Sequence, residues 1–484
     1  MVTRVAARNG GRLGLAALVA ILLLGLGLRL GYAWDGRAPV YDAAAYAAIA
    51  ANLEQGKGFT AGPRATQPSD NYSPGLPLLV AGAYRLSGGV HERLARLLLA
   101  VIGSLSVLFA YLIGRRLAGV PAGLIGAAAV AIYPAFLEYQ GMLMSEPLAA
   151  TLLSGSALAV LWARNQAPPP PLPRRAEDSE MDGPSPPPPG AAWRWLLPGA
   201  LLGALALVRP EYLAVAFLLG LVVFASDARA DWRRALASAA VLLAGVVVIV
   251  SPWTIRNAIA LDRFVPISTG GGQVLFAGTY LPSDGNPERV GEALLERQPE
   301  LVRRLGAELP PGTARGASPA AERRIVLAHF RLEQILAALA GQRYPGLETD
   351  RALSRLGREQ LWDDITEEPI EYAGFLAAKI GRIWSHGPRD VMREPLWEAL
   401  HWGLVAFGLI GLVVLARGRR WEALLLGAIF LAITALSALL VASPRRALVM
   451  LPLVAALAGV GASWTWSALR EARRPEPSRR PQAG

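Results

Sequence analysis

Several stretches of this 484-residue chain place acidic or basic side chains where an otherwise apolar sequence has little structural use for them. Asp42 opens VYDAAAYAAIAANLEQGKGFT, residues 40–60, in which Asp42, Tyr46, Ile49 and Leu53 recur at i, i+4, i+7 and i+11 on one helical face. Asp at such a position can cap a helix. A carboxylate beside low dielectric can also act as a general base, because desolvation moves its pKa toward the working range. In MLMSEPLAATLL, Glu146 stands at the mouth of an apolar segment, with Ser145 as cap and Pro147 in the first turn. An ionisable group there is a site candidate by position, and Glu138 ranks behind it. ALVRPEYLAV sets Arg209 and Glu211 between two apolar segments, readable as a local ion pair in a tight turn. Residues 251–279 carry Arg256 and Asn257 behind a Pro-Trp anchor, then Gly270 to Gly272, whose backbone N–H groups can approach an anionic oxygen. ASPRRALVMLPL puts Arg445 and Arg446 at the end of the last apolar segment, where an arginine can hold a phosphate with two donors. The chemistry these residues suit is acid–base work on an anionic substrate at a membrane face.

The elements that must position them are membrane helices. A bilayer core of about 30 Å needs roughly 17 to 25 apolar residues per helix. About ten candidates lie near 13–33, 94–114, 119–137, 143–163, 193–208, 211–226, 234–254, 399–416, 421–441 and 447–466, the fifth and sixth short and divided at Arg209-Pro210. Residues 75–86 are too short to span and read as an interfacial or re-entrant helix. The first segment has a basic flank and a long apolar run without a small-residue cleavage site, which reads as a retained anchor. Arginines concentrate in alternate short loops, and basic residues are held on the cytoplasmic side. With ten spans both termini are cytoplasmic, and the motifs above share the opposite face. The expected organisation is an all-α polytopic membrane protein. Residues 1–254 form an N-terminal membrane module with an outer loop at 34–93 and a disordered Pro-rich cytoplasmic linker at 165–192. Residues 255–398 form an extracytoplasmic helical subdomain, 399–466 the C-terminal spans and 467–484 a basic tail.

Composition narrows the functional classes. Hydrophobic residues make up 53% and charged residues 18%, with mean hydropathy +0.35, far from a soluble average. The net charge of +11 is explained by cytoplasmic loops and anionic lipid headgroups, so nucleic acid is not an expected partner. Zero cysteines remove disulfides, thiolate catalysis and Cys-ligated zinc. His91, His329, His386 and His401 lack metal-ligand spacing; no metal ligands are assigned, and a divalent metal stays open. No phosphate-binding glycine fingerprint sits in a cytoplasmic loop. A transporter or lipid flippase is the alternative class, and a non-catalytic assembly partner a third. A transporter predicts charges lining the mid-membrane, an enzyme working at the membrane face charges gathered around Asp42, and the sequence favours the gathered pattern.

Taken in order, these motifs resemble the bacterial polyprenyl-phosphate-dependent glycosyltransferases of the GT-C fold, in the branch of protein O-mannosyltransferases and aminoarabinose lipid A transferases. The resemblance covers roughly residues 13–280, with patches at 369–388 and 442–453. Asp42 matches the catalytic Asp of the first outer loop, with Ala43 where a Glu usually follows. Tyr72-Ser73-Pro74-Gly75, Ser145-Glu146-Pro147, Arg209-Pro210 and Pro252 to Asn257 match successive family segments. Lys379 in FLAAKIGRIWSHGP resembles a Lys of the family's later amphipathic segment, and Arg445 its terminal motif, with Arg446 in place of a Tyr. The resemblance implies transfer of one sugar from a lipid-phosphate carrier to a hydroxyl of a lipid, glycan or protein acceptor, at the outer face of the inner membrane. It assigns Asp42 as base, Glu146 as its orienting partner or acceptor-hydroxyl ligand, and Arg256, Lys379 and Arg445 as phosphate clamps. Tyr46, Tyr72, Arg209 and Asn257 join them as substrate-binding residues.

Overall fold

A computed structural model describes residues 2–61, 67–165, 192–284, 286–313 and 317–473. The linker expected at 165–192 lies, apart from its two end residues, outside the described residues, as does the tail beyond 473. The described chain is helical throughout, with no strand among the described residues. Its first half comprises α1 (Val2–Trp34), α2 (Asp42–Glu54), α3 (Gly75–Leu86), α4 (Glu92–Ala118), α5 (Val120–Ile132), α6 (Pro134–Gln140), α7 (Ser145–Asn165), α8 (Leu196–Val208) and α9 (Tyr212–Leu261). Six amphipathic helices follow after α10 (Gly271–Thr279): α11 (Val290–Arg297), α12 (Pro299–Ala307), α13 (Pro319–His329), α14 (Leu332–Arg343), α15 (Thr349–Glu367) and α16 (Pro369–Trp384). The chain closes with α17 (Pro395–Gly418), α18 (Arg420–Leu439) and α19 (Pro444–Ala472).

Among the described residues, seven helices are long and apolar enough to cross a membrane, and an eighth is the bent pair α5–α6. The span expected over 119–137 breaks at Tyr133, which precedes Pro134 and is extended at φ −64°, ψ 114°. A residue before proline is driven out of the α region, and the two helices bend by 54°. The break frees backbone carbonyls, which need partners inside a bilayer. Arg29 of α1, fully buried, supplies them: it donates to the carbonyls of Val130 at 2.9 Å and Ala131 at 3.2 Å. The 50-residue α9 is two helices, since Asp231 is non-helical at φ −155°, ψ 95°. The Asp231 carboxylate accepts from the backbone N–H groups of Arg233 and Arg234, both at 3.1 Å, and caps the second part. The segments expected at 211–226 and 234–254 are these two parts, and the segment at 193–208 is the shorter apolar helix Ala192–Val208. The region expected as a subdomain from 255 is helical from its start because α9 continues to Leu261, and α19 carries the chain past 467 to Ala472.

Small residues let the spans approach closely, as membrane helix pairs require. At the α17–α19 crossing, a Cβ on Gly411 would overlap the Leu457 carbonyl and one on Gly461 the Phe407 carbonyl. A second apolar cluster, with Val290, Leu294, Leu301, Leu336 and Leu339, holds α11 to α15 together. Lys379 of α16 is fully buried and ties this block to the bundle. Its Nζ donates to the carbonyls of Leu440, at 2.8 Å, and Gly278, which end α18 and stand near the end of α10.

Candidate active site

Three turns at one end of the bundle present the charged residues. The first leads into α2. Tyr41 occupies the cap position at φ 50°, ψ −124°, and Asp42 is the first helical residue. The capping role open to Asp42 is therefore not the one it takes: its carboxylate accepts from Arg445 at 3.4 Å. The second turn follows α8, where Pro210 forces Arg209 to an extended φ of −146° and ends the helix. The third begins α19, where Ser443 caps the helix through the backbone N–H of Arg445 and Pro444 takes the first position. Arg445 and Arg446 thus sit in the first turn, against the helix dipole, which disfavours each cation there by about 0.3–1 kcal/mol. Glu146, in the first turn of α7, sits with its dipole.

The side chains form an alternating chain of acids and bases whose most buried member is Glu146. Asp42, half exposed, meets Arg445 at 3.4 Å. Arg445 meets the fully buried Glu146 through Nε at 2.9 Å and a terminal nitrogen at 2.8 Å. The same Glu146 oxygen accepts from Arg209 at 3.4 Å, and Arg209 reaches Ser145 Oγ at 3.4 Å. Arg209 pairs with Glu211 at 3.0 Å, and Glu211 with Arg446 at 3.3 Å. Three carboxylates and three guanidiniums balance. Burial alone pulls Arg209 down, and the Glu211 and Glu146 carboxylates more than reverse it. Burial pushes the Glu211 carboxyl up, and Arg209 and Arg446 bring it below the usual range. The second oxygen of Glu146, Oε2, is buried and has no hydrogen-bond partner.

Tyr46, one turn along α2 from Asp42, meets Tyr72 edge-on with ring centroids 5.9 Å apart. Burial, then the Asp42 and Glu146 charges, push the Tyr46 phenol well above its ordinary value. Tyr72 is raised by burial first, then by Glu333 and Asp42, so the start of α14 lies within electrostatic reach of the site.

Other residues singled out in the sequence stand apart from this cluster. Arg256 lies over the Trp253 ring at 4.8 Å and donates to the carbonyls of Ser69 and Phe59, both at 3.4 Å. Asn257 donates to the carbonyls of Val265 and Ile267, both at 3.0 Å. These two hold loops beside α2 and α9. Lys379 holds the two carbonyls already described. The glycine run receives an anionic oxygen from within the chain, since Gly272 N–H donates to Asp350 at 2.9 Å. Glu138 pairs with Arg389 at 2.6 Å on a separate cleft of about 690 Å³ at the C-terminal end of α1. Among the described residues no group of three or more His, Asp or Glu side chains is placed to hold a metal ion. Sequence reasoning undervalued Glu211 and Arg446, which extend the chain beyond Arg209; the departure from the dipole preference in PRR was the available signal. Glu333 carried none.

Comparison by sequence with protein-family models and with characterised proteins gives no match. Comparison of structures does. The apo oligosaccharyltransferase of Archaeoglobus fulgidus aligns with 96% of this chain at 18% identity and a TM-score of 0.53. The same archaeon's oligosaccharyltransferase AglB, in complex with an inhibitory peptide and a dolichol-phosphate, aligns with 96% at 17% identity and a TM-score of 0.53. The chain spans about half the length of these proteins, 53% and 52%. ArnT from Cupriavidus metallidurans bound to undecaprenyl phosphate aligns with 95% of this chain and 81% of its own, at 14% identity and a TM-score of 0.40. At such identities the likeness to the archaeal enzymes shows the fold: the chain has the GT-C fold.

Proposed function

We propose that this chain is a membrane glycosyltransferase that moves a single sugar from a polyprenyl-phosphate carrier to an acceptor hydroxyl, by an inverting displacement at the extracytoplasmic face of the plasma membrane. The observation that carries the reading is the half-exposed Asp42 carboxylate at the open end of a buried charge chain, 3.4 Å from Arg445. The fold supports it, since an oligosaccharyltransferase with that fold holds a dolichol-phosphate. So does the order of motifs, which favours the O-mannosyltransferase and aminoarabinose transferase branch.

In this reading Asp42 takes the proton of the acceptor hydroxyl while its oxygen bonds to the anomeric carbon. The bond from that carbon to the carrier's phosphate oxygen breaks, and the phosphate leaves with the electron pair. Arg445, with 37% of its side chain exposed, is the guanidinium placed to meet that charge as it develops. Glu146 orients Arg445 through two contacts. Arg209, Glu211 and Arg446 hold Glu146 and Arg445 in place. Tyr46 and Tyr72 wall the space above Asp42. Arg256, Asn257 and Lys379 act by fixing the loops and helix ends around it.

The test is transfer of radiolabelled sugar from a panel of polyprenyl-phosphate sugars by purified protein, wild type beside Asp42→Asn. Asp42 is half exposed and its pair with Arg445 is long, so its removal costs at most about 1 kcal/mol of stability. Loss of a general base lowers transfer by about 10²–10⁴-fold. An Asp42→Asn protein that melts normally and keeps full transfer would end the assignment.

A further inference from the structure

The proposed chemistry uses one end of the bundle. Toward the other end, α4, α7 and α8 part to leave a groove of about 810 Å³, within the range of roughly 300–1,000 Å³ common to ligand sites. Its body is apolar, with Ile102, Leu105, Phe109, Leu158 and Leu201 along the walls. The hydroxyl in the lining, that of Thr151, is already used: it donates to the carbonyls of Pro147 at 2.9 Å and Ile102 at 3.3 Å. The groove's charged lining is confined to Arg115 and Arg116 at the C-terminal end of α4. Arg116 anchors one terminal nitrogen on the Leu161 carbonyl at 3.0 Å, and its Nε is buried without a partner. Arg115 is exposed, 6.0 Å above the Tyr111 ring, and Trp162, 40% exposed, stands beside them.

Complementarity to the dipole of α4 would account for two arginines at its end. It does not account for an apolar groove that runs up to them. Ile102 and Arg116 are 14 positions apart on α4, or about 21 Å at 1.5 Å per residue. Half of a hydrocarbon core of about 30 Å is about 15 Å. The groove therefore takes hydrocarbon chains through one leaflet and presents guanidinium donors at the depth of that leaflet's phosphates. We infer that it binds an anionic diacyl phospholipid of the leaflet at the arginine-rich end, with the chains against Leu105, Phe109 and Leu158 and the phosphate on Arg115 and Arg116. A polyprenyl-phosphate carrier fits less well. Its phosphate on Arg115 would stand at the opposite end of the bundle from Asp42, because α7 carries Glu146 in its first turn and Arg164 in its last.

The experiment uses full-length protein in detergent micelles doped with equal amounts of phosphatidylglycerol and phosphatidylcholine, with retained lipid read by native mass spectrometry. The wild type retains phosphatidylglycerol in preference. Arg115→Gln lowers that retention by about fivefold, the factor corresponding to the approximately 1 kcal/mol that one basic residue contributes near an anionic surface. Arg115→Lys restores most of it. Leu105→Trp, which fills the groove from an exposed position, lowers retention of both lipids, and all three variants melt like the wild type in lipid-free detergent. Equal retention of the two lipids, retention unchanged by Arg115→Gln, a co-purified polyprenyl phosphate displaced by Leu105→Trp, or a second copy of the chain crosslinked at position 105 would each overturn the inference.

Discussion

Replacement of Glu146 by Gln tests whether the charge chain is held together at its buried midpoint. Glu146 is fully buried and takes contacts from Arg445 at 2.9 and 2.8 Å and from Arg209 at 3.4 Å through one oxygen. Gln keeps an acceptor oxygen and the shape, so what is lost is the charge. Removal of one partner from a buried ion pair costs about 3–5 kcal/mol, because the other charge is left buried. Two features reduce that here. Arg209 keeps Glu211 at 3.0 Å, and Arg445 is 37% exposed, so water screens part of its charge. The expected cost is about 2–3 kcal/mol. A chain of this size shifts its melting temperature by about 1–2 °C per kcal/mol, extrapolating the trend with length, which gives a fall of about 2–6 °C. The assay is a double-mutant cycle in one detergent: Glu146→Gln, Arg445→Gln and both together. In the double variant the buried cation and its partner leave together, so its cost falls short of the sum of the singles by about 2 kcal/mol. Transfer in Glu146→Gln falls on the order of 100-fold through misplacement of Arg445. Strict additivity, or a Glu146→Gln protein as stable as the wild type, would refute the coupling.

Lys379 predicts a pH dependence. Burial, then the Arg446 and Arg382 charges, hold its ammonium down at about 7, below an unfolded value of about 10.4. Between these values the unfolded chain binds more protons, so stability rises with pH from about 7 to 10.4, and Lys379→Met flattens that slope in unfolding curves recorded across the window. Arg29→Leu strips the partners from the Val130 and Ala131 carbonyls and is expected to cost about 2–6 kcal/mol, at 1–3 kcal/mol per orphaned group, seen as a lower melting temperature without a change in pH profile. Tyr41 holds φ 50° with its side chain 92% exposed, so Tyr41→Gly relieves a backbone penalty of about 1–3 kcal/mol; the loss of unfolded-state restriction offsets roughly 1 kcal/mol of this, and a net rise in stability by thermal unfolding is the outcome to check.

The membrane helices were legible because hydrophobic length is a direct consequence of bilayer thickness. The breaks were harder to place. The Tyr133-Pro134 break falls inside the segment expected to run unbroken over 119–137, because its signal is a single residue, whereas the Asp231 break lies in the gap left between 211–226 and 234–254. Asp42, Glu146, Arg209 and Arg445 were legible as charges at span ends, and the structure brings those four together. Arg256, Asn257 and Lys379 were singled out on the same footing but serve backbone carbonyls, because charge at a span end does not say whether its partner is a substrate or an orphaned C=O. Arg29 was passed over for the opposite reason: it lies inside an apolar run, and its use depends on a break one hundred residues away. Contacts at that separation leave no trace in local periodicity.

The balance of charge at the site bears on how the proposed reaction would be ordered. Asp42, Glu146 and Glu211 offset Arg445, Arg209 and Arg446, so the resting site offers an incoming phosphate no surplus cation. Arg445 is shared between Glu146 at 2.8 Å and Asp42 at 3.4 Å, and the longer contact, made to a half-exposed carboxylate, is the weaker one. A phosphate that takes a nitrogen of Arg445 therefore displaces Asp42 before Glu146. Asp42 is then released from the guanidinium, and its half-exposed carboxylate is left open to the acceptor hydroxyl. In the proposed mechanism the donor thus readies the base by occupying the clamp. An ordered sequence follows, with the carrier bound before the acceptor hydroxyl is deprotonated. Initial-rate kinetics should show donor binding first, and random binding of donor and acceptor would refute the order.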